Sequence, residues 1–136
     1  NNIHGNFFIK PNIHELRDMF NEKLETKEEI VKKCSFFLER RVKNIIISRG
    51  GDGALLVNKD FVLEASVPEG ELINSIGAGD SMVAGFIAGY VKGYSIEDSF
   101  RLAVASGSAT AYSYGLAEKK LVEKLYKEIK IIKESV

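Results

Sequence analysis

The stretch KNIIISRG, residues 43–50, restricts the fold more than any other in this chain. Ile45, Ile46 and Ile47 are consecutive β-branched residues, which favour a strand. Successive side chains in a strand point to opposite faces, so an unbroken apolar run needs cover on both, as in a parallel sheet. Just upstream, TKEEIVKKCSFFLERR (26–41) reads as one helix. Thr26 and Glu29 have capping-box spacing, and Ile30, Cys34, Phe37 and Leu38 form an apolar stripe. A helix feeding a doubly covered strand implies an α/β arrangement.

The remaining segments extend that pattern. NFFIKPN (6–12) reads as a short buried strand ending at Pro11. NIHELRDMF (12–20) reads as a short helix, with Asn12 as N-cap and Ile13, Leu16 and Phe20 on one face. After KNIIISRG come a GGDG turn, a strand ALLVN, an NKD turn and a strand FVLEAS, which together suggest an antiparallel meander. A loop, VPEGELINS, leads into a helix expected from Asp80 to about Lys92, whose Ala84, Gly85, Ala88 and Gly89 permit close packing. Gly93 ends that helix, Ser95 caps the next, and Gly115 is expected to break it. The tail begins as a helix with Leu121, Leu125 and Ile129 in phase; its IKIIK end reads equally as helix or strand. No repeat or linker interrupts the chain, so residues 1–136 are expected to belong to one domain.

Composition narrows the function classes. The chain is 45% apolar and 28% charged, enough for a packed core. Its 19 basic and 19 acidic residues give a formal net charge of zero, so neither nucleic acid nor an anionic membrane is expected as a partner. Cys34 is the only cysteine, which excludes an intrachain disulfide and a cysteine-rich zinc site and suits a cytoplasmic location. No apolar run reaches membrane-spanning length. The first residues lack the marks of a signal peptide and there is no initiator methionine, so the chain is expected to be part of something longer.

The chemistry concentrates in NSIGAGDSMVAGFIAGY (74–90). A helix N-terminus leaves backbone N–H groups unpartnered and carries partial positive charge. Glycines let the preceding backbone approach a ligand without a Cβ clash. Gly77, Ala78 and Gly79 therefore make a candidate anion cradle. The segment is not a Walker motif, because no Gly-Lys-Ser/Thr follows, and it does not fit G-x-G-x-x-G, whose third glycine would fall at Met82. Asp80 beside a bound phosphate fits a base that accepts a proton from an attacking hydroxyl. It fits equally a helix-capping aspartate after a flexible turn.

Two other stretches carry candidate ligands. Lys10 ends a strand, and Asn12 and Glu15 stand three apart at a helix start, where hard oxygen groups suit Mg²⁺ with most of its waters retained. Taken alone, an N-cap Asn followed by a first-turn Glu is ordinary helix capping. In SRGGDGALL (48–56), Ser48, Gly50 and Gly53 sit where a glycine-rich turn could fold beside a nucleotide, or simply turn the chain. Arg49 receives no role. In RLAVASGSATAYS (101–113) small residues recur on successive helical turns, which also suits close helix packing.

These four stretches, in this order and spacing, resemble the C-terminal half of the ribokinase-like (PfkB) carbohydrate kinases, and NSIGAGDSMVAG looks most like the 1-phosphofructokinase and tagatose-6-phosphate kinase branch. The resemblance covers nearly the whole chain. It implies the C-terminal half of a three-layer α/β/α fold, with residues 1–136 as its nucleotide-binding and catalytic portion. It implies ATP-dependent phosphoryl transfer to a phosphorylated ketohexose, fructose 1-phosphate first, with tagatose 6-phosphate, fructose 6-phosphate or another sugar as alternatives. A non-catalytic nucleotide-binding module is the remaining alternative. By the same resemblance Asp80 is the catalytic base and Gly77, Ala78 and Gly79 form the anion hole. Lys10, Ser48, Gly50, Gly53, Ala105, Ser106 and Ala109 line the ATP site, and Asn12 and Glu15 organise Mg²⁺. The sugar-binding half is not in this sequence, so the chain alone is expected to be inactive, and a homodimer of the full-length protein is among the arrangements the resemblance allows. YGLAEKK (114–120) departs from the Thr-Gly-x-Pro-like loop common in the family.

Overall fold

The computed structural model describes residues 7–136, in two compact units: residues up to 64 together with 132–136, and residues 65–131. Asn6, the first residue of the expected opening strand, lies outside the described residues.

The first unit is built on a sheet whose strands lie in chain order: β1 (Phe8–Ile9), β2 (Asn44–Ser48), β3 (Ala54–Val57), β4 (Phe61–Ala65) and β5 (Ile131–Ser135). The sheet is mixed. β2 runs parallel to β1, with Phe8 opposite Asn44, and antiparallel to β3, with Ile45 opposite Val57 and Ser48 opposite Ala54. The parallel surroundings expected for the isoleucine run thus hold on one side only. The burial expectation holds in full: Ile45, Ile46 and Ile47 are each 0% exposed. Ile45, Ile47, Leu55 and Val57 form one core with Ile13, Leu16, Ile30, Cys34 and Phe37. These last belong to α1 (Ile13–Phe20), α2 (Lys27–Lys33), the Cys34 link and α3 (Ser35–Leu38).

Two capping boxes start these helices, as their spacing predicts. Asn12 Oδ1 accepts from the Glu15 N–H and the Asn12 N–H donates to Glu15 Oε1, both at 2.8 Å. Thr26 and Glu29 repeat the arrangement at α2. The single helix expected over 26–41 is instead broken at Cys34. The Cys34 N–H is shared between the carbonyls of Ile30 and Val31, at 3.1 Å each, and Ser35 Oγ donates to the Lys32 carbonyl at 2.8 Å. A hydroxyl inserted into the carbonyl ladder bends a helix. Arg41, at φ +68°, then turns the chain toward β2.

The second unit contains α4 (Ala78–Val91), α5 (Ile96–Ala111) and α6 (Lys119–Glu128). α4 packs on α5 through glycines. A Cβ on Gly85 would lie 2.9 Å from the Leu102 carbonyl oxygen, and one on Gly89 would lie 2.9 Å from Ser99 Cα. The close packing expected of this helix is present at Gly85 and Gly89; Ala88 is half-buried and Ala84 exposed. Ser95 caps α5 by accepting from the Asp98 N–H at 3.1 Å. α5 ends at Ala111, ahead of the expected break at Gly115. The tail resolves as helix then strand. Ile129 is already extended (φ −73°, ψ 127°) and 2% exposed, and its carbonyl accepts from Arg101 Nη1 at 2.6 Å. Among the described residues no helix is long and apolar enough to cross a membrane.

Candidate active site

In the first unit, the expected ligand residues gather at one end of the sheet. β1 and β2 are parallel, and their C-terminal ends are joined by a bridge between Asn12 and Ser48, with the Ser48 N–H donating to the Pro11 carbonyl at 3.3 Å. That bridge brings Lys10, Asn12, Glu15 and Ser48 to the same strand ends, which is where open α/β sheets place ligands. Beyond Ser48 the chain makes a 3₁₀ turn, Gly50–Asp52, closed by the Gly53 N–H on the Gly50 carbonyl at 3.1 Å. Gly50 at φ +56° holds a left-handed conformation that favours glycine, and Gly53 at φ +86°, ψ −155° one that side chains rarely adopt.

Capping accounts for Asn12 and Glu15 as helix residues, and it uses one Glu15 oxygen, Oε1. Oε2 makes no bond among the described residues. No three His, Cys, Asp or Glu side chains among the described residues form a metal cage. One free carboxylate oxygen beside an amide fits Mg²⁺, which keeps several waters and needs few protein ligands.

Arg49, given no role from sequence, is tied into this turn. Its guanidinium meets Glu64 on β4 at 3.2 Å, and Lys27 at the start of α2 meets the same carboxylate at 3.1 Å and also pairs with Glu134 on β5. The hydrogen bond from Lys27, aided by Arg49, holds the Glu64 carboxyl below its ordinary range against the opposing effect of burial. Lys27 is raised, first by its bond to Glu134. The sequence carried only a faint signal of this: one charged residue between a buried strand and a glycine turn.

In the second unit, the glycine-aspartate turn is more sharply defined than expected. α4 starts at Ala78, not Asp80, because Gly77 at φ +84° is its N-cap and the Ser81 N–H already bonds the Gly77 carbonyl at 3.0 Å. Asp80 is therefore the third helical residue, and it is exposed. The Ala78 N–H is taken by the Ser75 carbonyl at 3.2 Å. The N–H groups of Gly77, Gly79 and Asp80 have no partner among the described residues. Three donors at a helix N-terminus beside a solvent-facing carboxylate can hold an anion and accept a proton at one place.

The expected adenine-side residues divide. Ala105 and Ala109 are 0% exposed, sealed in the packing of α5, so they have no surface to offer a ligand in this structure. Ser106 is half-buried and lines a cleft of about 590 Å³ with Ser81, Thr110, Lys92 and Lys119.

A family model for the pfkB family carbohydrate kinases matches residues 2–123. The chain belongs to this family. Among its pfkB relatives, a 1-phosphofructokinase of Bacillus subtilis is 46% identical over 92% of this chain and 41% of its own length. A D-tagatose-1-phosphate kinase of Bacillus licheniformis is 36% identical over the same shares. The crystal structure of a provisionally named phosphofructokinase from Staphylococcus aureus superposes with a TM-score of 0.90 at 38% identity, covering 95% of this chain and 42% of that one. The fold is α/β and ribokinase-like. This chain spans about two fifths of the length of the curated pfkB relatives it matches.

Proposed function

We propose that the full-length protein is an ATP-dependent sugar-phosphate kinase, and that residues 1–136 are the C-terminal nucleotide-binding and catalytic portion of its kinase domain. The observation that carries this reading is the start of α4, with three unpartnered N–H groups around an exposed Asp80. Asp80 accepts the proton of the acceptor hydroxyl as its oxygen attacks the γ-phosphorus of ATP. The new O–P bond forms, the bond from the γ-phosphorus to the bridging oxygen breaks, and ADP leaves. The N–H groups of Gly77, Gly79 and Asp80 stabilise charge on the transferring group, and Ala78 fixes the turn through its bond to Ser75. Asn12 and Glu15 are the residues that would hold Mg²⁺, whose charge would offset that of the phosphates when bound. Lys10, Ser48 and the Gly50–Gly53 turn bind the nucleotide phosphates and ribose. Ser106 is the one residue of the expected adenine set with surface to contribute.

Fructose 1-phosphate is the acceptor this reading favours, giving fructose 1,6-bisphosphate, in keeping with the name of the Bacillus subtilis relative. Tagatose 1-phosphate is the second acceptor, in keeping with the name of the Bacillus licheniformis one; an acceptor panel separates them. A homodimer of the full-length protein is part of the same proposal. The test is Asp80→Asn in the full-length protein: turnover falls by about 10²–10⁴-fold, as for loss of a general base, while ATP affinity stays within about twofold. Turnover within tenfold of the parent would remove Asp80 from the role of base.

A further inference from the structure

The segment that delivers the Gly77–Asp80 turn, residues 66–77, has no regular secondary structure. It is held by three consecutive residues at the end of α5. The Ala111 carbonyl accepts from both the Ile73 and Asn74 N–H groups, at 2.8 and 3.0 Å. Thr110 Oγ1 and Ser81 Oγ share a hydrogen bond of 2.7 Å, tying the first turn of α4 to the same place. Tyr112 Oη donates to the Pro68 carbonyl at 2.6 Å, and its ring occupies the space where a Cβ of Gly70 would stand. Asn74 passes the restraint forward by accepting from the Ile76 N–H at 2.9 Å, one residue before Gly77.

Tyr112 itself is well fixed. Its N–H caps α5 on the Ser108 carbonyl at 2.9 Å, its side chain is half-buried, and burial pushes its phenol pKa up, so the hydroxyl stays a donor. Gly70 matches it: the close approach of the ring leaves no room for a side chain there. A rigid helix end thus grips the loop at Pro68, Gly70 and Ile73–Asn74, and the loop has only Ser75 and Ile76 left before the donors of the turn.

We infer that Tyr112 is a positioning residue for the Gly77–Asp80 turn, acting through the loop and not by touching substrate. The inference rests on the reading of that turn as the phosphoryl-transfer site. Restraint by Tyr112 keeps the Gly79 and Asp80 amides and the Asp80 carboxylate in one register. Without it the turn samples positions from which attack is unproductive, so kcat falls while nucleotide binding persists.

The test uses the full-length protein with Tyr112→Phe, which removes only the donor, and Gly70→Ala, which forces the ring away from the loop side. Ser113→Ala is the control. Ser113 Oγ donates to the Ala109 carbonyl at 2.7 Å within the end of α5 and makes no hydrogen bond to residues 66–77 among the described residues. In Tyr112→Phe, amide exchange at Ile73 and Asn74 accelerates about tenfold and kcat falls about tenfold, with KM for ATP within about twofold, as expected when a near-attack geometry loosens. Gly70→Ala moves the same readouts in the same direction. Ser113→Ala lowers the melting temperature comparably but leaves kcat and loop exchange unchanged. Unchanged exchange and kcat in Tyr112→Phe would overturn the inference, as would an equal loss of kcat in Ser113→Ala. Asp80→Asn is assayed beside them: if it keeps turnover, the reading of the turn fails, while the exchange data still report whether Tyr112 holds the loop.

Discussion

Replacing Gly85 by alanine sets two opposed effects against each other in one methyl group. Gly85 lies in the middle of α4, where alanine favours the helix by about 1 kcal/mol over glycine. On propensity alone the change should stabilise. The packing says otherwise. The added Cβ would stand 2.7 Å from Ser106 Oγ, 2.9 Å from the Leu102 carbonyl oxygen and 3.1 Å from Ala103 Cα. The hydroxyl can rotate away, but the carbonyl and Cα belong to α5. Reaching ordinary contact at 3.4 Å requires the two helices to part by about 0.5 Å at the Leu102 oxygen. Overpacking of this kind costs about 1–3 kcal/mol, so the net expectation is a loss of about 1 kcal/mol. Urea unfolding of the full-length protein measures it, with Gly51→Ala as the comparison. Gly51 has open space around it and no positive φ, and its substitution should stay within about 0.5 kcal/mol. A Gly85→Ala protein that unfolds at the parent midpoint or above it would refute the reasoning. It would mean that the α4–α5 contact relaxes freely and that glycine is not there for close approach.

Two more outcomes follow from charge and burial. Glu64 titrates below its ordinary 4.5 because Lys27, and then Arg49, favour its charged form. The stability it contributes is present above that value and is lost as pH falls through the lowered folded value; Glu64→Gln should flatten this acid limb in unfolding midpoints measured below pH 4.5. Cys34 is 0% exposed and its thiol is pushed up to about 12 by burial, so at pH 8 an alkylating reagent should modify it only as fast as the protein opens; rapid native-state alkylation would contradict the packing around it.

What could be read from the sequence was local. Both capping boxes are spacings of three residues, and both formed, because the partners are fixed before any tertiary contact exists. The isoleucine run of β2 announced burial on both faces, since the pleat leaves no alternative. What could not be read depends on distant partners. The break at Cys34 keeps helical periodicity on either side, so no pattern marks it; a hydroxyl on a carbonyl decides it. The strand character of residues 131–135 depends on their place beside β4, and IKIIK alone suits either state. Ala105 and Ala109 entered the expected site through the family resemblance, and small residues in sequence do not reveal that both are buried here.

The start of α4 suggested a chemistry before its geometry was known. Two glycines and an aspartate suit a candidate anion cradle with a base, but they do not say which amide is free. That follows from the helix beginning two residues earlier than the aspartate, at a left-handed Gly77 that no other residue would hold as readily. The consequence reaches past the turn. Gly77 would place a Cβ 3.9 Å from the Thr110 methyl, ordinary contact, so its glycine is required by φ and not by space. Gly85 and Gly89 are required by space: both lie in α4, where glycine has no conformational advantage. One helix therefore carries glycine for two separable reasons. A D-alanine at position 77, which tolerates φ +84°, should preserve the turn, whereas the ordinary Gly77→Ala change should not. A semisynthetic protein with the D-residue at 77 that retained turnover, beside a Gly77→Ala protein that lost it, would isolate backbone conformation as the property that glycine supplies. Equal turnover in the two proteins would mean that the turn does not depend on a left-handed residue at that position.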